Sequence, residues 1–66
     1  MIGELIAQAR KAAGLTQKQL GEMIGYKGPN ADIMIQRFEA NKREVPLSKI
    51  RALSKALNIP LESLIP

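Results

Sequence analysis

The side chains best suited to specific recognition chemistry in this sequence stand close together between positions 32 and 37. Gln36 carries an amide that can form two hydrogen bonds with adenine, and Arg37 carries a guanidinium that can form two with guanine. Asp32 could accept a hydrogen bond from the amino group of cytosine, or it could only favour the start of a helix. Ile33 could contact the methyl group of thymine, or it could pack beneath the preceding turn. All four residues are candidate readers of DNA bases. For Asp32, Gln36 and Arg37 the alternative is an ordinary solvated helix surface, which suits an isoleucine poorly.

A second group of polar and basic side chains could hold the phosphate backbone of a nucleic acid. Gln17 stands at the start of a predicted helix, where backbone N–H groups without partners attract anions. Lys42 and Arg43 follow the predicted base readers and would border the backbone on the other side. Charged runs are usually no more than solvated surface, and Gln17 and the Lys42-Arg43 pair are the strongest candidates. The candidates for phosphate contacts are Gln17, Lys18, Lys27, Asn30, Lys42 and Arg43.

The composition limits the other kinds of chemistry that the chain can perform. The 66 residues contain no cysteine and no histidine, which excludes disulfide bonds and thiolate metal sites and removes the usual general base. With neither an acidic cluster nor a glycine-rich phosphate loop, the sequence offers no catalytic constellation. We therefore expect no enzyme, no cofactor and no metal ion. The formal net charge of +4 favours a polyanionic partner, either nucleic acid or an anionic membrane.

The sequence shows neither a membrane-spanning segment nor a signal peptide. No apolar run approaches the roughly 20 residues that cross a bilayer. The first five residues, Met1–Leu5, lack a basic leader followed by apolar residues. A cytoplasmic protein with no membrane partner is the resulting expectation.

Apolar residues recur at helical spacing along the chain, and no stretch alternates as a strand would. Helices are predicted over residues 2–13, 17–24, 31–40 and 46–57. A final helical turn is predicted at 61–64, and its leucines should close the core. Thr16 and Gln19 should form a capping box before the second helix, and Asn30 should cap the third. The residues expected to end helices are Gly14, Gly25, Asn41 and Asn58.

The same spacing predicts which helix faces form the core. On the third helix the inner face is Ala31, Ile35 and Phe38, with Met34 beside them. On the fourth helix it is Leu47, Ile50, Leu53, Ala56 and Leu57. Four short helices and a turn of this kind predict a compact orthogonal bundle.

Several segments together resemble the Cro and phage-repressor (XRE, lambda-repressor-like) helix-turn-helix family. The resembling segments are 15–21, Gly25, 35–39, 46–47, 52–60 and Leu64. The resemblance covers nearly the whole chain, which is more specific than an isolated helix-turn-helix match. It implies a single all-α domain over residues 1–66, a compact five-helix orthogonal bundle with its helix-turn-helix unit at about 16–40.

Two departures from the family pattern concern this unit. Gly21 stands where the family usually has a small residue; glycine suits a close helix approach but weakens the helix. Between Gly25 and Ile35 the chain has about four residues more than the family's usual spacing. We align the family's aromatic-Glu pair with Phe38-Glu39 across a gap, because the ungapped alignment leaves Glu39 without its expected role.

The resemblance also implies a function and a set of partners. Arg10 and Glu39 match an ion pair beneath the reading helix, which makes them structural residues. The implied function is sequence-specific binding of double-stranded DNA by a transcriptional regulator, a repressor of phage or mobile-element type. A homodimer on two half-sites is expected, with the apolar C-terminal end, Leu61, Leu64 and Ile65, as its surface.

Two alternatives to this function stay open. One is an antitoxin that represses its own promoter and also binds a toxin, so that a toxin or effector becomes a protein partner. The other is a protein-interaction adaptor with the same fold that binds no DNA.

Overall fold

A computed structural model describes residues 2–65, which form four α-helices and one short 3-10 helix. In chain order these are α1 (Ile2–Ala12), α2 (Gln17–Met23), α3 (Pro29–Glu39), α4 (Leu47–Leu57) and the 3-10 turn (Leu61–Ser63). The all-α expectation is confirmed, since residues 2–65 contain no strand. The expected five-helix bundle is wrong in one respect: the fifth element is a single 3-10 turn and not an α-helix. No helix within the described range is long and apolar enough to cross a bilayer.

Local capping interactions determine where α2 begins and where α3 and α4 end. Thr16 Oγ1 accepts a hydrogen bond from the Gln19 N–H at 3.0 Å, and Gln19 Oε1 accepts one from the Thr16 N–H at 2.8 Å. The predicted capping box is therefore confirmed; it satisfies two N–H groups that a helix start leaves without partners. Asn41 and Asn58 follow α3 and α4 in the left-handed conformation, at φ 58° and φ 55°, as predicted.

The third helix begins two residues earlier than the sequence predicts. Gly28 takes the cap position expected of Asn30, and Pro29 is the first helical residue. Proline suits that position because its fixed φ is helical and its missing N–H would have no partner there. Gly28 has φ 60°, which a residue with a side chain rarely adopts. Asn30 therefore lies in the first turn of α3, and the α2–α3 connection shortens to residues 24–28.

The hydrophobic core lies where all five elements meet. The predicted inner face of α3 is confirmed, because Ala31, Met34, Ile35 and Phe38 are all buried. The largest fully buried side chains come from the four α-helices and from the residue that follows the 3-10 turn, and are Phe38, Ile6, Leu20, Ile35, Leu53 and Leu64.

The burial of two leucines differs from an expectation based on the sequence. Leu47 was assigned to the inner face of α4, yet it is 81% exposed, because it occupies the first position of the helix and takes no part in the core. Leu64 is expected both to close the core and to contribute to a dimer surface. It is 1% exposed, so its place in the core is confirmed, and almost none of its surface is left for a second molecule.

The two helices α2 and α3 pack closely at Gly21. A Cβ atom on Gly21 would overlap the Ala31 carbonyl group and come within 2.7 Å of the Ala31 Cα. Both residues are buried. Glycine at this position therefore allows the helix backbones to approach, at the cost of a weaker α2.

Candidate nucleic-acid interface

The face of α3 opposite the core is exposed and carries several polar side chains. Successive helical residues are about 100° apart, so the exposed residues fall on one side of the helix and the buried ones on the other. The exposed side consists of Pro29, Asn30, Ile33, Gln36, Arg37 and Ala40. Eleven helical residues give this face a length of roughly 16 Å, at about 1.5 Å per residue.

The predicted base readers differ in how exposed they are on this face. Gln36 and Arg37 are exposed in the C-terminal turn of α3, with their amide and guanidinium free to reach a ligand. Ile33 is 39% exposed, so the preceding turn does not bury it, and the packing explanation for Ile33 is not supported. Asp32 is half-buried at the border of the face, in the first turn of α3, where a carboxylate favours the helix dipole. Asn30, expected in the turn, joins the exposed face.

The basic candidates for phosphate contacts border the same two helices. Lys18 is exposed in the first turn of α2, and Lys27 is exposed in the α2–α3 connection. Lys42 and Arg43 are exposed directly after α3. None of these four side chains is paired with an acidic residue within residues 2–65, so their charges are available to a partner.

Gln17 is positioned by an internal hydrogen bond. Its Nε2 donates to Glu39 Oε1 at 3.0 Å, which fixes the amide at the start of α2. An amide nitrogen carries two hydrogens, so this bond leaves one donor for another acceptor. The sequence suggests Gln17 as a phosphate contact but does not reveal this internal bond.

Glu39 connects three helices beneath the exposed face of α3. The Arg10 Nε donates to Glu39 Oε2 at 2.6 Å, and Arg10 Nη2 donates to Glu39 Oε1 at 3.3 Å. Arg10 also donates through Nη1 to the Leu15 carbonyl oxygen at 2.9 Å. The two side chains are 12% and 11% exposed, and removing one partner of a pair this buried leaves a charge without compensation. The arrangement holds the C-terminal end of α3 against α1 and α2.

Asn41 is a second anchor, which the sequence analysis missed. Its Oδ1 accepts a hydrogen bond from the Gly3 N–H at 3.1 Å. A Cβ on Gly3 would come within 2.7 Å of Asn41 Oδ1 and of the Phe38 carbonyl oxygen, so glycine there lets α1 touch the end of α3. Only a tertiary contact could have revealed this role, because no local motif links two residues so distant in sequence.

The described residues show no sign of a metal centre. Residues 2–65 contain no group of three or more acidic, cysteine or histidine side chains that could hold an ion. The exposed polar groups on α3 and directly after it include amides, a guanidinium and the cations of Lys42 and Arg43, which are suited to bases and phosphates.

Comparison with known proteins gives one match. A family model described as helix-turn-helix matches residues 6–64, which is almost the entire chain and confirms the resemblance. No curated protein and no solved structure is significantly similar to the chain.

Proposed function

Because this chain belongs to the XRE, lambda-repressor-like helix-turn-helix family, we propose that it binds specific sequences of double-stranded DNA and represses transcription. In this proposal α3 lies in the major groove and α2 crosses the phosphate backbone. An α-helix with its side chains is about 10–12 Å wide, and the major groove is about 12 Å wide. The exposed face of α3 is the surface that enters the major groove.

The observation that carries the proposal is the placement of Gln36 and Arg37. Both are exposed on the side of α3 that faces away from the core. Their backbone positions are held by the buried residues Ile35 and Phe38 and by the Glu39 network. Rigid placement matters because two-point hydrogen bonds to a base require accurate geometry. Ile33 and Asn30 lie on the same face and complete the proposed contact with bases, and Asp32 lies at its border.

Phosphate contacts supply most of the affinity in this proposal. Gln17 and Lys18 contact the backbone from the start of α2, and Lys42 and Arg43 contact it from the end of α3. Lys27 contacts it from the α2–α3 connection. These contacts carry no sequence information, but they fix the register of α3 on the duplex.

A homodimer is part of the proposal because one small domain buries little DNA surface. Two half-sites of a helix-turn-helix dimer lie about 34 Å apart, and the longest dimension of the chain is 29 Å, so neighbouring copies come within reach of each other. The exposed Leu47 borders an apolar groove, which a second copy could cover. The groove is lined by Ile2, Asn41, Arg43, Glu44, Val45, Leu47, Ile50 and Leu64. Of these, Leu47 is a large exposed apolar side chain, whereas Ile50 and Leu64 belong to the core.

Repression is the regulatory outcome that requires least beyond binding, because a protein bound at a promoter excludes other proteins from the same bases. An antitoxin of this family would bind DNA in the same way and would also bind a toxin. Copurification of a second protein would support that alternative.

Selection of bound duplexes from a random pool tests the proposal. The unchanged chain should enrich a palindromic sequence, bound by two molecules. The variant Q36A/R37A should lose the preference at the contacted bases, because each two-point contact discriminates by about 1–3 kcal/mol. The control Q8A/K11A removes an exposed amide and an exposed cation from α1, and should enrich the same sequence as the unchanged chain.

The outcomes separate the alternatives. If no duplex is enriched at any salt concentration, the proposal fails and the adaptor function gains support. If Q36A/R37A enriches the same sequence as the unchanged chain, DNA binding stands but α3 does not read these bases.

A further inference from the structure

The first half of the connection between α2 and α3 is hydrogen-bonded to α2: the Gly25 N–H donates to the Glu22 carbonyl oxygen at 3.1 Å, and the Tyr26 N–H donates to the Gly21 carbonyl oxygen at 3.0 Å. The connection is nevertheless rich in glycine. It contains two glycines in the left-handed region, Gly25 at φ 106° and Gly28 at φ 60°. No side chain caps α3 at Gly28, and a Cβ on Gly28 would meet nothing within 4 Å. Backbone of this kind loses much conformational entropy when it is ordered. A contact from outside the connection adds to the backbone hydrogen bonds in restricting it.

Lys49, on α4, supplies such a contact. Its Nζ donates a hydrogen bond to the Ile24 carbonyl oxygen at 3.0 Å and lies 4.7 Å from the centre of the Tyr26 ring. The Tyr26 ring in turn packs on Phe38, with ring centres 6.3 Å apart. Lys49 thus links α4 to the end of α2, to the middle of the connection and, through Tyr26, to α3.

Electrostatics favour both contacts of the ammonium group. Ile24 ends α2, where carbonyl oxygens lack helical partners and the helix dipole is negative. The face of a tyrosine ring attracts a cation, and the attraction grows as water is excluded; the Lys49 hydrogen bond is partly buried. Gly25 leaves room for this arrangement, since a Cβ there would lie only 3.0 Å from the Lys49 Nζ.

The two ends of α3 are held by different means. At the C-terminal end, Glu39 bonds to Arg10 and Gln17, and Asn41 follows with its bond to α1. At the N-terminal end there is no side-chain cap, and Lys49 acts through the connection. The direction of a rigid helix depends on both ends.

We propose that Lys49 is a positioning residue for DNA recognition. Together with the close packing of Gly21 on Ala31, its contacts with the 24–28 connection hold α3 at its angle to α2, and so place Gln36 and Arg37 on their bases. The inference rests on the proposed function. Hydrogen bonds weaken steeply as distance and angle change, whereas an electrostatic contact with phosphate tolerates displacement. Loss of Lys49 therefore weakens specific binding more than nonspecific binding.

Three variants test this inference. K49M keeps the apolar stem of the side chain and removes its charge and donor, and K49R restores both. K55M removes one charge from the exposed surface of the same helix and serves as the matched control. For each, the dissociation constants for the selected duplex and for a scrambled duplex are measured at a temperature well below melting. The variants are compared by the ratio of these two dissociation constants, which measures selectivity. A general loss of charge or stability does not change this ratio.

The expected result is a lower ratio in K49M alone. K49M should lose about tenfold in selectivity, comparable to one mismatched base pair, while K55M keeps the selectivity of the unchanged chain. K49R should recover most of the loss. Equal ratios in K49M and K55M would overturn the inference. If K49M does not fold, K49Q, which removes the charge with a shorter polar side chain, carries the same comparison.

The fluorescence of Tyr26 provides an independent measurement. Tyr26 is the only tyrosine, and the chain has no tryptophan, so its emission reports on the Lys49 contact without interference. K49M should change this emission, and K55M should not; an unchanged spectrum in K49M would overturn the contact itself.

If the unchanged protein does not distinguish duplexes, the proposed function fails and the recognition role fails with it. The spectrum then still establishes whether the contact exists.

Discussion

At the scale of single residues, Asn41 shows how one side chain can serve two helices. Its backbone, at φ 58°, ends α3 in the conformation that asparagine tolerates better than other residues with side chains. Its side chain accepts the Gly3 N–H, one of the groups that the first turn of α1 leaves without a helical partner. Asn41 therefore contributes both a helix end and a tertiary cap.

The two roles of Asn41 can be separated by substitution with glycine. N41G keeps the left-handed backbone and removes the hydrogen bond to Gly3, so it should lower the free energy of unfolding by about 1 kcal/mol. N58G is the matched control, because Asn58 has the same conformation at the end of α4 and its side chain caps no other helix within residues 2–65. It should change stability by less than about 0.5 kcal/mol. Urea denaturation of both variants measures the difference, and equal stabilities would contradict the capping role.

The sequence predicts one of these roles and not the other, for a physical reason. The left-handed conformation is a local property of the residue type, so the pattern around Asn41 is enough to predict it. The bond to Gly3 joins residues 38 positions apart and depends on how α1 packs on α3. The Gln17–Glu39 bond and the Lys49 contacts are hidden from sequence reasoning in the same way. The Arg10–Glu39 expectation came from the family resemblance, which contains tertiary information that composition and spacing lack.

At the scale of helices, the crossing of α2 and α3 depends on the absence of a side chain at Gly21. Alanine would normally strengthen a helix interior by about 1 kcal/mol relative to glycine. Here the added Cβ would meet the backbone of Ala31, which cannot move aside as a flexible side chain can. The steric cost therefore exceeds the gain in helix propensity.

We predict that G21A destabilises the fold by about 2 kcal/mol or more, as overpacking of a tight core does. G14A is the control: it also places alanine on a glycine, at φ 72° but in open space, so its cost should be only the left-handed strain of about 1 kcal/mol. Denaturant midpoints of the two variants compare the two effects. If G21A is as stable as the unchanged protein, the close approach of the helices does not require glycine.

The position of α3 illustrates what periodicity can and cannot predict about an element. Its buried face was predicted because four apolar residues recur at helical spacing, and all four are buried. Its start was predicted wrongly because Asn30 and Gly28-Pro29 are both good starting signals. Propensity alone did not choose between them. The earlier start brings Asn30 onto the exposed face of α3.

At the scale of the whole molecule, the net charge of +4 does not distinguish basic residues that play different roles. Arg10 is neutralised inside the fold by Glu39, and Lys49 is engaged with the α2–α3 connection. The remaining cations are free to contact a partner, and those that flank α3 are the ones that we propose contact DNA. Net charge can be counted in a sequence, but the role of each cation depends on the fold.

The salt dependence of binding tests which cations contact DNA. Each phosphate contact releases condensed counterions, so the slope of log affinity against log salt concentration changes by about 0.9 per contact. Removing Lys42 and Arg43 together should therefore make the slope shallower by about 2 per protomer and leave the preferred sequence unchanged. The control K11A/K55A lowers the net charge equally through two exposed lysines outside α2 and α3, and should keep the slope of the unchanged chain. Fluorescence anisotropy on the selected duplex over a series of salt concentrations gives these slopes. Equal slopes for the two variants would show that the total charge, and not the pair after α3, determines binding.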